Sequence, residues 1–310
     1  MLKDLMKNHS KFNVSQISFG GASLSGNGAG YGFGDISPKE SLILLHSALG
    51  AGINIIDTAP IYGFGESEIR IGKAIKDRRD KAHIISKSGV SWHENKRVNM
   101  TNNPKEALKQ LEESLIRLNT DYIDTYMVHW PDKKVDLLET LDVYLKAQKE
   151  GKIKYIGLCN TTNAELSKAQ AYCNIDIIQS EVNIFNNQIS NLDNLQNAMT
   201  MSWGTFDKGI ISGSVAKDRT FDKSDCRSWA PWWKKSNWKE KVDKISKLNN
   251  FVKDTEFNLI SFALGYNLSF VDTAICGFKN EKQLDQILKA MDSLPSLALI
   301  KEGMDYAHIK

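Results

Sequence analysis

Residues 52–68 of this 310-residue chain have the sequence GINIIDTAPIYGFGESE. Within this segment, residues 54–59 (NIIDTA) form a short apolar run with a carboxylate, Asp57, near its end. A run that is nearly continuously apolar, rather than alternating, is typical of a strand that is covered on both faces. The segment therefore predicts a buried strand that ends close to Asp57, followed by a short loop that contains Tyr62.

Similar short runs recur along the whole chain. They predict strands at residues 17–22, 54–59, 83–88, 125–130, 155–160, 177–182, 200–205 and 273–278. Strands that alternate with helices indicate a parallel sheet, and eight strand–helix units are the number that closes a (β/α)8 barrel. We therefore predict an α/β fold, a (β/α)8 TIM barrel that forms a single domain over residues 1–310. Residues 1–16 are predicted to be an N-terminal extension that forms a hairpin over the barrel bottom.

Helix signals separate the predicted strands. Residues 37–40 (SPKE) and 103–106 (NPKE) each place an N-cap residue before a proline, with a glutamate at the capping-box position. Leucines at three- and four-residue spacing follow the second signal and predict a stripe that faces the core: Leu108, Leu111, Leu115 and Leu118. The longest interval between predicted strands, residues 206–272, contains four tryptophans and predicts a long loop on top of the barrel.

The composition excludes several classes of protein. Lys plus Arg total 40 and Asp plus Glu total 37, and no dense basic run indicates nucleic-acid binding. The four cysteines form no CxxC pair, which argues against zinc ribbons and thioredoxin-like sites, and we expect no metal. The longest uncharged apolar-leaning stretch, residues 259–271, is too short to span a bilayer. We expect a cytoplasmic protein without a membrane partner.

Nucleotide-binding folds can be tested by their phosphate-binding motifs. The glycine-rich residues 26–34 (GNGAGYGFG) contain no GxGxxG, and the chain contains no GxxxxGK[ST]. A Rossmann or P-loop fold therefore lacks its signature. We predict instead that this stretch is a mobile loop after the first strand.

Titratable side chains lie at or just after the ends of three consecutive predicted strands. Asp57 and Tyr62 follow the second strand, Lys87 lies near the end of the third, and His129 near the end of the fourth. Barrel enzymes place their catalytic groups at these strand ends. Taken singly, each residue has a structural explanation, such as a turn cap, loop packing, a solvated strand end or a core histidine. Their joint placement favours catalysis.

This set of residues suits proton transfer to a carbonyl oxygen. Hydride delivery to a carbonyl leaves negative charge on oxygen, which needs a proton donor such as the Tyr62 phenol. We expect Lys87 to lower the pKa of Tyr62, because a nearby ammonium favours the phenolate. Asp57 would hold Lys87 charged, and His129 would position the carbonyl oxygen.

Three long segments resemble motifs of the aldo-keto reductase superfamily. They are residues 52–68, residues 115–131 (LIRLNTDYIDTYMVHWP) and residues 151–160 (GKIKYIGLCN), and the resemblance extends over essentially the whole chain. It implies an NADP(H)-dependent oxidoreductase that reduces an aldehyde or ketone to the alcohol. The implied catalytic residues are Asp57, Tyr62, Lys87 and His129, with Tyr62 as the general acid.

The resemblance also implies a site for NADPH (NADP+). Its residues would be Gly21, Ala22, Asp57, Cys159, Asn160, Gln179, Trp203, Gly204, Thr205, Phe206, Gly209, Lys279 and Gln283. Cys159 stands where the family usually has serine, and a thiol is a weaker hydrogen-bond partner for the nicotinamide carboxamide. Lys279 falls where a residue often contacts the adenosine 2′-phosphate, whereas Ile287 replaces the usual adenine-binding asparagine.

Two other functions stay open on the sequence. The first is a cofactor-binding sensor or partner protein on the same barrel, since a fold and its site can persist where turnover is incidental. The second is a barrel lyase or aldolase that uses Lys87 as a Schiff-base amine. The sequence predicts a small-molecule carbonyl substrate, but it identifies neither that substrate nor the oligomeric state.

Overall fold

The computed structural model of the chain describes residues 6–9, 12–26, 30–195 and 197–309. Its strands are β1 (Met6–His9), β2 (Phe12–Ser15), β3 (Ile17–Gly20), β4 (Ile55–Asp57), β5 (His83–Ser88), β6 (Val90–Trp92), β7 (Val98–Met100), β8 (Ile123–Val128), β9 (Ile153–Cys159), β10 (Ile177–Asn183), β11 (Asn186–Asn187), β12 (Met199–Trp203) and β13 (Thr273–Cys276). Its helices are α1 (Pro38–Gly50), α2 (Glu66–Ile75), α3 (Pro104–Leu118), α4 (Leu137–Lys149), α5 (Asn163–Tyr172), α6 (Pro231–Lys234), α7 (Trp238–Val252), α8 (Leu259–Leu268), α9 (Glu281–Met291) and α10 (Leu297–Tyr306).

Eight parallel strands close into a barrel, which confirms the predicted fold. Their order around the barrel is β3, β4, β5, β8, β9, β10, β12 and β13, and β13 pairs with β3. Each predicted strand overlaps one of these eight, although several predicted runs extend past the paired residues. The second run, for example, pairs only over Ile55–Asp57, because residues 58 and 59 have already left the sheet for the turn that leads to Tyr62.

The amino-terminal end of the barrel is covered by the chain that precedes β3. Strands β1 and β2 pair antiparallel, and Phe12 and Val14 pack among the apolar side chains inside the barrel. The backbone amide of Ser15 donates to Asn54 Oδ1 at 2.9 Å, which ties this hairpin to the entry of β4. The opposite, carboxyl-terminal end of the barrel stays free for loops.

The helix signals of the sequence have two outcomes. Ser37 and Glu40 form the predicted capping box at the start of α1, whereas Asn103 caps the amide of Lys105, two residues into α3. In the predicted leucine stripe of α3, Leu111, Leu115 and Leu118 are buried. Leu108 is 43% exposed, so the prediction for this residue is wrong. The buried residue is Ala107, four positions before Leu111, as a 3.6-residue period requires.

The long interval after β12 is more ordered than a loop. It contains α6, α7 and the buried α8, so the prediction of a long loop is only partly correct. The rings of Trp233 and Trp238 stack at 5.4 Å between centroids, and Phe221 packs edge-on against Trp233 at 5.6 Å. Most of this aromatic cluster therefore serves to pack the segment onto the barrel. In the described part of the chain, no helix combines the length and apolarity needed to cross a membrane.

Candidate active site

A buried ion pair joins two neighbouring strands at the carboxyl-terminal end of the barrel. Lys87 Nζ on β5 lies 2.7 Å from Asp57 Oδ1 at the end of β4, and it also donates to the carbonyl of Thr58 at 2.9 Å. The Lys87 side chain is fully buried. A lysine that is buried to this extent keeps its charge only when a carboxylate compensates for the lost hydration, and Asp57 supplies that charge.

Tyr62 and His129 lie next to this pair. Their rings meet edge to face with 6.0 Å between centroids, and Lys87 Nζ lies 5.6 Å from the centroid of the Tyr62 ring. The loop that carries Tyr62 is held by the bond from the Gly65 amide to the carbonyl of Pro60 at 2.7 Å. The structure thus brings the four predicted catalytic residues together.

The electrostatic state of Tyr62 differs from the expectation. Burial raises the pKa of Tyr62 well above its usual value, and the negative charge of Asp57 raises it further. The pKa of Tyr62 therefore lies above its usual value and not below it as expected, because burial and the charge of Asp57 outweigh the stabilisation of the phenolate by Lys87. A raised pKa keeps the phenol protonated at neutral pH, which is the form that a proton donor must have.

His129 is held in its neutral form. Burial lowers the pKa of His129 well below its usual value, and the charge of Lys87 lowers it further. A neutral imidazole carries one N–H and one acceptor nitrogen, so His129 can donate a hydrogen bond to a carbonyl oxygen without being a strong acid.

A chain of polar side chains runs from the end of β9 to Asp57. Asn160 Nδ2 donates to Cys159 Sγ at 3.1 Å, Cys159 Sγ donates to Gln179 Oε1 at 3.2 Å, and Gln179 Nε2 donates to Asp57 Oδ1 at 2.8 Å. Trp203 Nε1 donates to Asn160 Oδ1 at 2.9 Å, which fixes the indole at the end of β12. The amide and thiol groups that were predicted to hold a nicotinamide carboxamide are therefore contiguous with the ion pair.

The loop after β12 carries a compact set of charges. Lys208 Nζ lies 3.0 Å from Glu181 Oε1 and 2.9 Å from Asp207 Oδ1, and Lys241 Nζ lies 2.6 Å from Asp207 Oδ2. Thr205 Oγ1 donates to the carbonyl of Ile275 at 2.8 Å and links this loop to β13. The loop is thereby held rigidly against the neighbouring strand end.

Lys279 lies farther along the same face, just before α9. Its Nζ is 3.2 Å from the carbonyl oxygen of Phe33, and its backbone amide donates to Gln283 Oε1 at 2.8 Å. Burial lowers the pKa of Lys279. An ammonium at the amino terminus of a helix suits an anion, because the free amides of the first turn add to its field.

One cavity of about 1370 Å³ is lined by most of these groups, although Lys87, Asp207 and Lys241 are not part of its lining. Of the predicted site residues, those that line it are Ala22, Asp57, Tyr62, His129, Cys159, Asn160, Gln179, Trp203, Gly204, Thr205, Phe206, Gly209, Lys279 and Gln283. The cavity is larger than the usual pocket for one small molecule, about 300–1000 Å³, so it has room for a long ligand and a second reactant. Its walls contain the indole of Trp203, the side-chain amides of Asn160 and Gln179, and the ammonium of Lys279 just before α9. This set of groups fits a nicotinamide dinucleotide.

Two predicted residues do not line the cavity. Lys87 lies beneath Asp57, fully buried, whereas a Schiff base needs an accessible neutral amine. Gly21 lies so close to β4 that a Cβ atom there would be 2.7 Å from the carbonyl oxygen of Asp57. Glycine at this position allows the chain that leaves β3 to pack against the end of β4, next to the backbone of Asp57.

Comparison with known proteins places this geometry in a family. The model of the aldo/keto reductase family matches residues 16–297. The chain belongs to the aldo/keto reductase family. Like other members it is an oxidoreductase, of the kind that works with a nicotinamide cofactor.

Individual relatives of this aldo/keto reductase span most of its length. The aldo-keto reductase YhdN of Bacillus subtilis is 32% identical over 267 residues, which is 82% of this chain and 80% of the relative. The NADH-specific methylglyoxal reductase of Escherichia coli is 26% identical over 256 residues, 77% and 78% of the two chains. The structure of the glycerol dehydrogenase AKR11B4 from Gluconobacter oxydans matches with a TM-score of 0.80 at 27% identity, covering 96% of this chain and 92% of that one.

Some residues that line the reductase's cavity were not predicted from the sequence. Lys208, Arg219 and Arg227 line the part of the cavity that follows β12, but in the sequence they are ordinary lysines and arginines of a long interval. The hairpin of β6 and β7 lines the other side, and its signal was readable: apolar and polar residues alternate in both VSW and VNM. Among the described residues, no group of three or more His, Cys, Asp or Glu side chains is arranged to hold a metal.

Proposed function

We propose that this aldo/keto reductase reduces an aldehyde or ketone to the alcohol with NADPH, and that Tyr62 is the general acid. The observation that carries the proposal is the position of Tyr62. Its ring borders the large cavity, meets His129 edge to face, and lies 5.6 Å from the ammonium of the buried Lys87–Asp57 pair. A protonated phenol at the cavity surface can donate where charge develops on a substrate oxygen.

The cofactor site in this proposal follows the cavity wall from β9 to α9. The exposed face of Trp203 would stack on the nicotinamide ring, and Asn160 with Gln179 would bind its carboxamide. Cys159 would take part through its thiol, which burial keeps protonated by raising its pKa. A bound reduced nicotinamide supplies the hydride.

The residues around Tyr62 divide the remaining work. His129, neutral at physiological pH, donates to the substrate oxygen and orients it beside the Tyr62 hydroxyl. Lys87 stabilises the phenolate that remains after proton transfer, since its ammonium lies close to the ring. Asp57 keeps Lys87 charged and is itself held by Gln179 at 2.8 Å.

A preference for NADPH over NADH rests on Lys279. Its half-buried ammonium lines the cavity at the start of α9, where it would pair with a 2′-phosphate as a point charge. The relative from Escherichia coli is named for NADH, so the family accommodates both cofactors. Titration of the protein with each cofactor tests the preference, and equal dissociation constants would contradict it.

We further propose a small-molecule carbonyl substrate and a cytoplasmic location. The four cysteines are all free in the structure, as is usual in a reducing compartment. Fractionation of cells that produce the native chain tests the location.

The activity is tested by following NADPH absorbance across a panel of aldehydes and ketones. We expect carbonyl-dependent oxidation of NADPH by the native protein, and almost none by the Tyr62→Phe variant under the same conditions. Stoichiometric NADPH binding without turnover of any carbonyl would contradict the proposal and favour a sensor or partner protein.

A further inference from the structure

The hairpin of β6 and β7 turns one apolar face toward the site. Val90 pairs with Met100 and Trp92 pairs with Val98, whereas Ser91 pairs with Asn99 between them. Residues that lie opposite each other in an antiparallel pair share a face, and neighbours along a strand alternate. The four apolar side chains therefore lie on one face of the hairpin, which we call the hairpin wall, and the polar pair lies on the other.

The hairpin wall belongs to an apolar cluster that is separate from the barrel core. Ala59, Ile61 and Val90 form its buried part, and Tyr31, Tyr62, Phe64, Trp92 and Val98 pack against it. Tyr62 is therefore surrounded on this side by hydrocarbon. Met100 and Trp130, which line the same cavity, remain 55% and 39% exposed. Large apolar side chains that are left exposed on a cavity wall indicate a ligand that covers them.

Charge is distributed unevenly along the cavity. Among its described lining residues, the Lys and Arg side chains are Lys208, Arg219, Arg227 and Lys279, and all four follow β12 or β13. Lys208 pairs with Glu181 and Asp207, and Arg227 pairs with Asp225 at 2.6 Å. Next to Tyr62, the titratable groups that line the cavity are a neutral His129 and Asp57, whose charge is compensated by the buried Lys87. A substrate carboxylate would be desolvated there without a partner, which is costly.

We propose that the substrate is a neutral carbonyl compound with an aryl or similarly bulky apolar group, and that this group lies against the hairpin wall, Ile61 and Trp130. The inference rests on the proposed function, since it places the carbonyl beside Tyr62. Anionic carbonyl compounds are excluded because, among the described residues, no Lys or Arg lines the cavity on that side; Lys96, whose Nζ lies 5.7 Å from the centroid of the Phe64 ring, is not part of the lining. Small polyhydroxylated ones are disfavoured because they leave the exposed Met100 and Trp130 uncovered.

A matched pair of aldehydes tests the proposal. 4-Methylbenzaldehyde and 4-carboxybenzaldehyde differ little in size, but the second is an anion at neutral pH. With NADPH and the native protein, we expect kcat/KM to favour the methyl compound by about 100-fold or more, because the carboxylate must be buried unpaired. A ratio near one would overturn the proposal.

Two variants locate the effect. Met100→Arg supplies a cation on the hairpin wall, and we expect it to reduce the ratio about tenfold or more, chiefly through KM. The control Ile116→Arg makes the same change at a side chain that is 77% exposed on α3 and away from the cavity, and it should leave the ratio unchanged. Equal ratios for the two variants, with native circular dichroism, would contradict the proposal. If Met100→Arg does not fold, Met100→Ser must lower kcat/KM for 4-methylbenzaldehyde without a gain for the carboxylate.

Failure of this inference can be told apart from failure of the proposed function. Turnover of glyceraldehyde but of neither aryl aldehyde contradicts the inference and leaves the reductase activity intact. No turnover of any carbonyl contradicts the proposed function. In that event, titration of tryptophan fluorescence with 4-methylbenzyl alcohol and 4-carboxybenzyl alcohol still tests whether the hairpin wall binds a neutral apolar group. Tighter binding of the neutral alcohol supports the inference, and equal or no binding overturns it.

Discussion

The barrel holds a buried pair of opposite charges near each of its two ends. At the carboxyl-terminal end Asp57 accepts from Lys87 at 2.7 Å and from Gln179 at 2.8 Å. At the amino-terminal end Asp124 accepts from Arg79 at 2.6 Å, Lys154 at 2.9 Å and the Ile84 amide at 3.0 Å.

The two pairs differ in what surrounds them. Asp57 lines a large cavity beside Tyr62 and His129, whereas the buried Asp124 is surrounded by its three donors and does not line that cavity. A buried charge that is saturated with fixed partners has no reactant to act on, and its role is to hold the strands in place. A buried charge at a cavity can act on a ligand. The same chemistry thus gives a structural site at one end and a candidate catalytic site at the other.

Among the variants that compare the two ends of the barrel, Lys87→Met should have the largest effect. It should lower kcat by about a hundredfold or more, because the Tyr62 phenolate loses its stabilising ammonium. It should also lower the free energy of unfolding by about 3 kcal/mol, because Asp57 is left buried without its cation. Activity assays and urea denaturation of the same preparation measure both quantities. Loss of stability with full activity would mean that the pair of Asp57 and Lys87 is structural as well.

Arg79→Met is the matched change at the other end. It should lower the free energy of unfolding by about 3 kcal/mol, the lower end of the range for breaking a buried pair, since Lys154 remains bound to Asp124. kcat and KM at 25 °C should stay within about twofold of the native values, because the site is at the opposite end of the barrel. A large loss of kcat in the folded variant would remove the distinction between the two ends.

His83, which lies beside Asp124, should make the stability of the protein sensitive to acid. Burial lowers the pKa of His83 from 6.5 to about 4. Between these values the unfolded chain binds a proton that the folded chain does not, so stability falls as the pH falls through this window, by up to about 3 kcal/mol. His83→Gln should flatten the dependence of unfolding free energy on pH between 4 and 6.5. An unchanged slope would show that other groups cause the acid sensitivity.

The smallest of these effects concerns the cofactor. Lys279→Ala should weaken NADPH binding about tenfold, because a charged contact to the 2′-phosphate is lost, and it should leave NADH binding nearly unchanged. Fluorescence titration with both cofactors measures the change. Equal losses for NADPH and NADH would mean that Lys279 supports the loop at Phe33 rather than the phosphate.

Much of the architecture could be predicted from the sequence, because buried strands leave continuous apolar runs. The runs around Asp57, Lys87 and His129 indicated both the barrel and the strand ends that meet. The electrostatics could not be predicted in this way. The pKa of Tyr62 depends on its burial and on the charge of Asp57 beside it, which are properties of the packed structure. Leu108 shows a similar limit, since a leucine stripe does not define which edge of a helix faces solvent.

The hairpin of β6 and β7 could have been predicted. Its two strands alternate apolar and polar residues around a polar turn, the usual pattern of a half-buried hairpin. The cations that line the cavity could not have been predicted. Arg227, for example, is held there by its bonds to Asp225 and to the Lys208 carbonyl, and no local sequence pattern indicates these bonds.

The role of Tyr62 is tested most directly by the Tyr62→Phe variant, with kcat/KM for a reducible carbonyl and the dissociation constant of NADPH measured side by side. We expect kcat/KM to fall by about a hundred- to ten-thousandfold, because the general acid is lost. The dissociation constant should stay within about twofold, since other strands hold the cofactor. Near-native turnover by this variant would contradict the account and make His129 the next candidate for the acid.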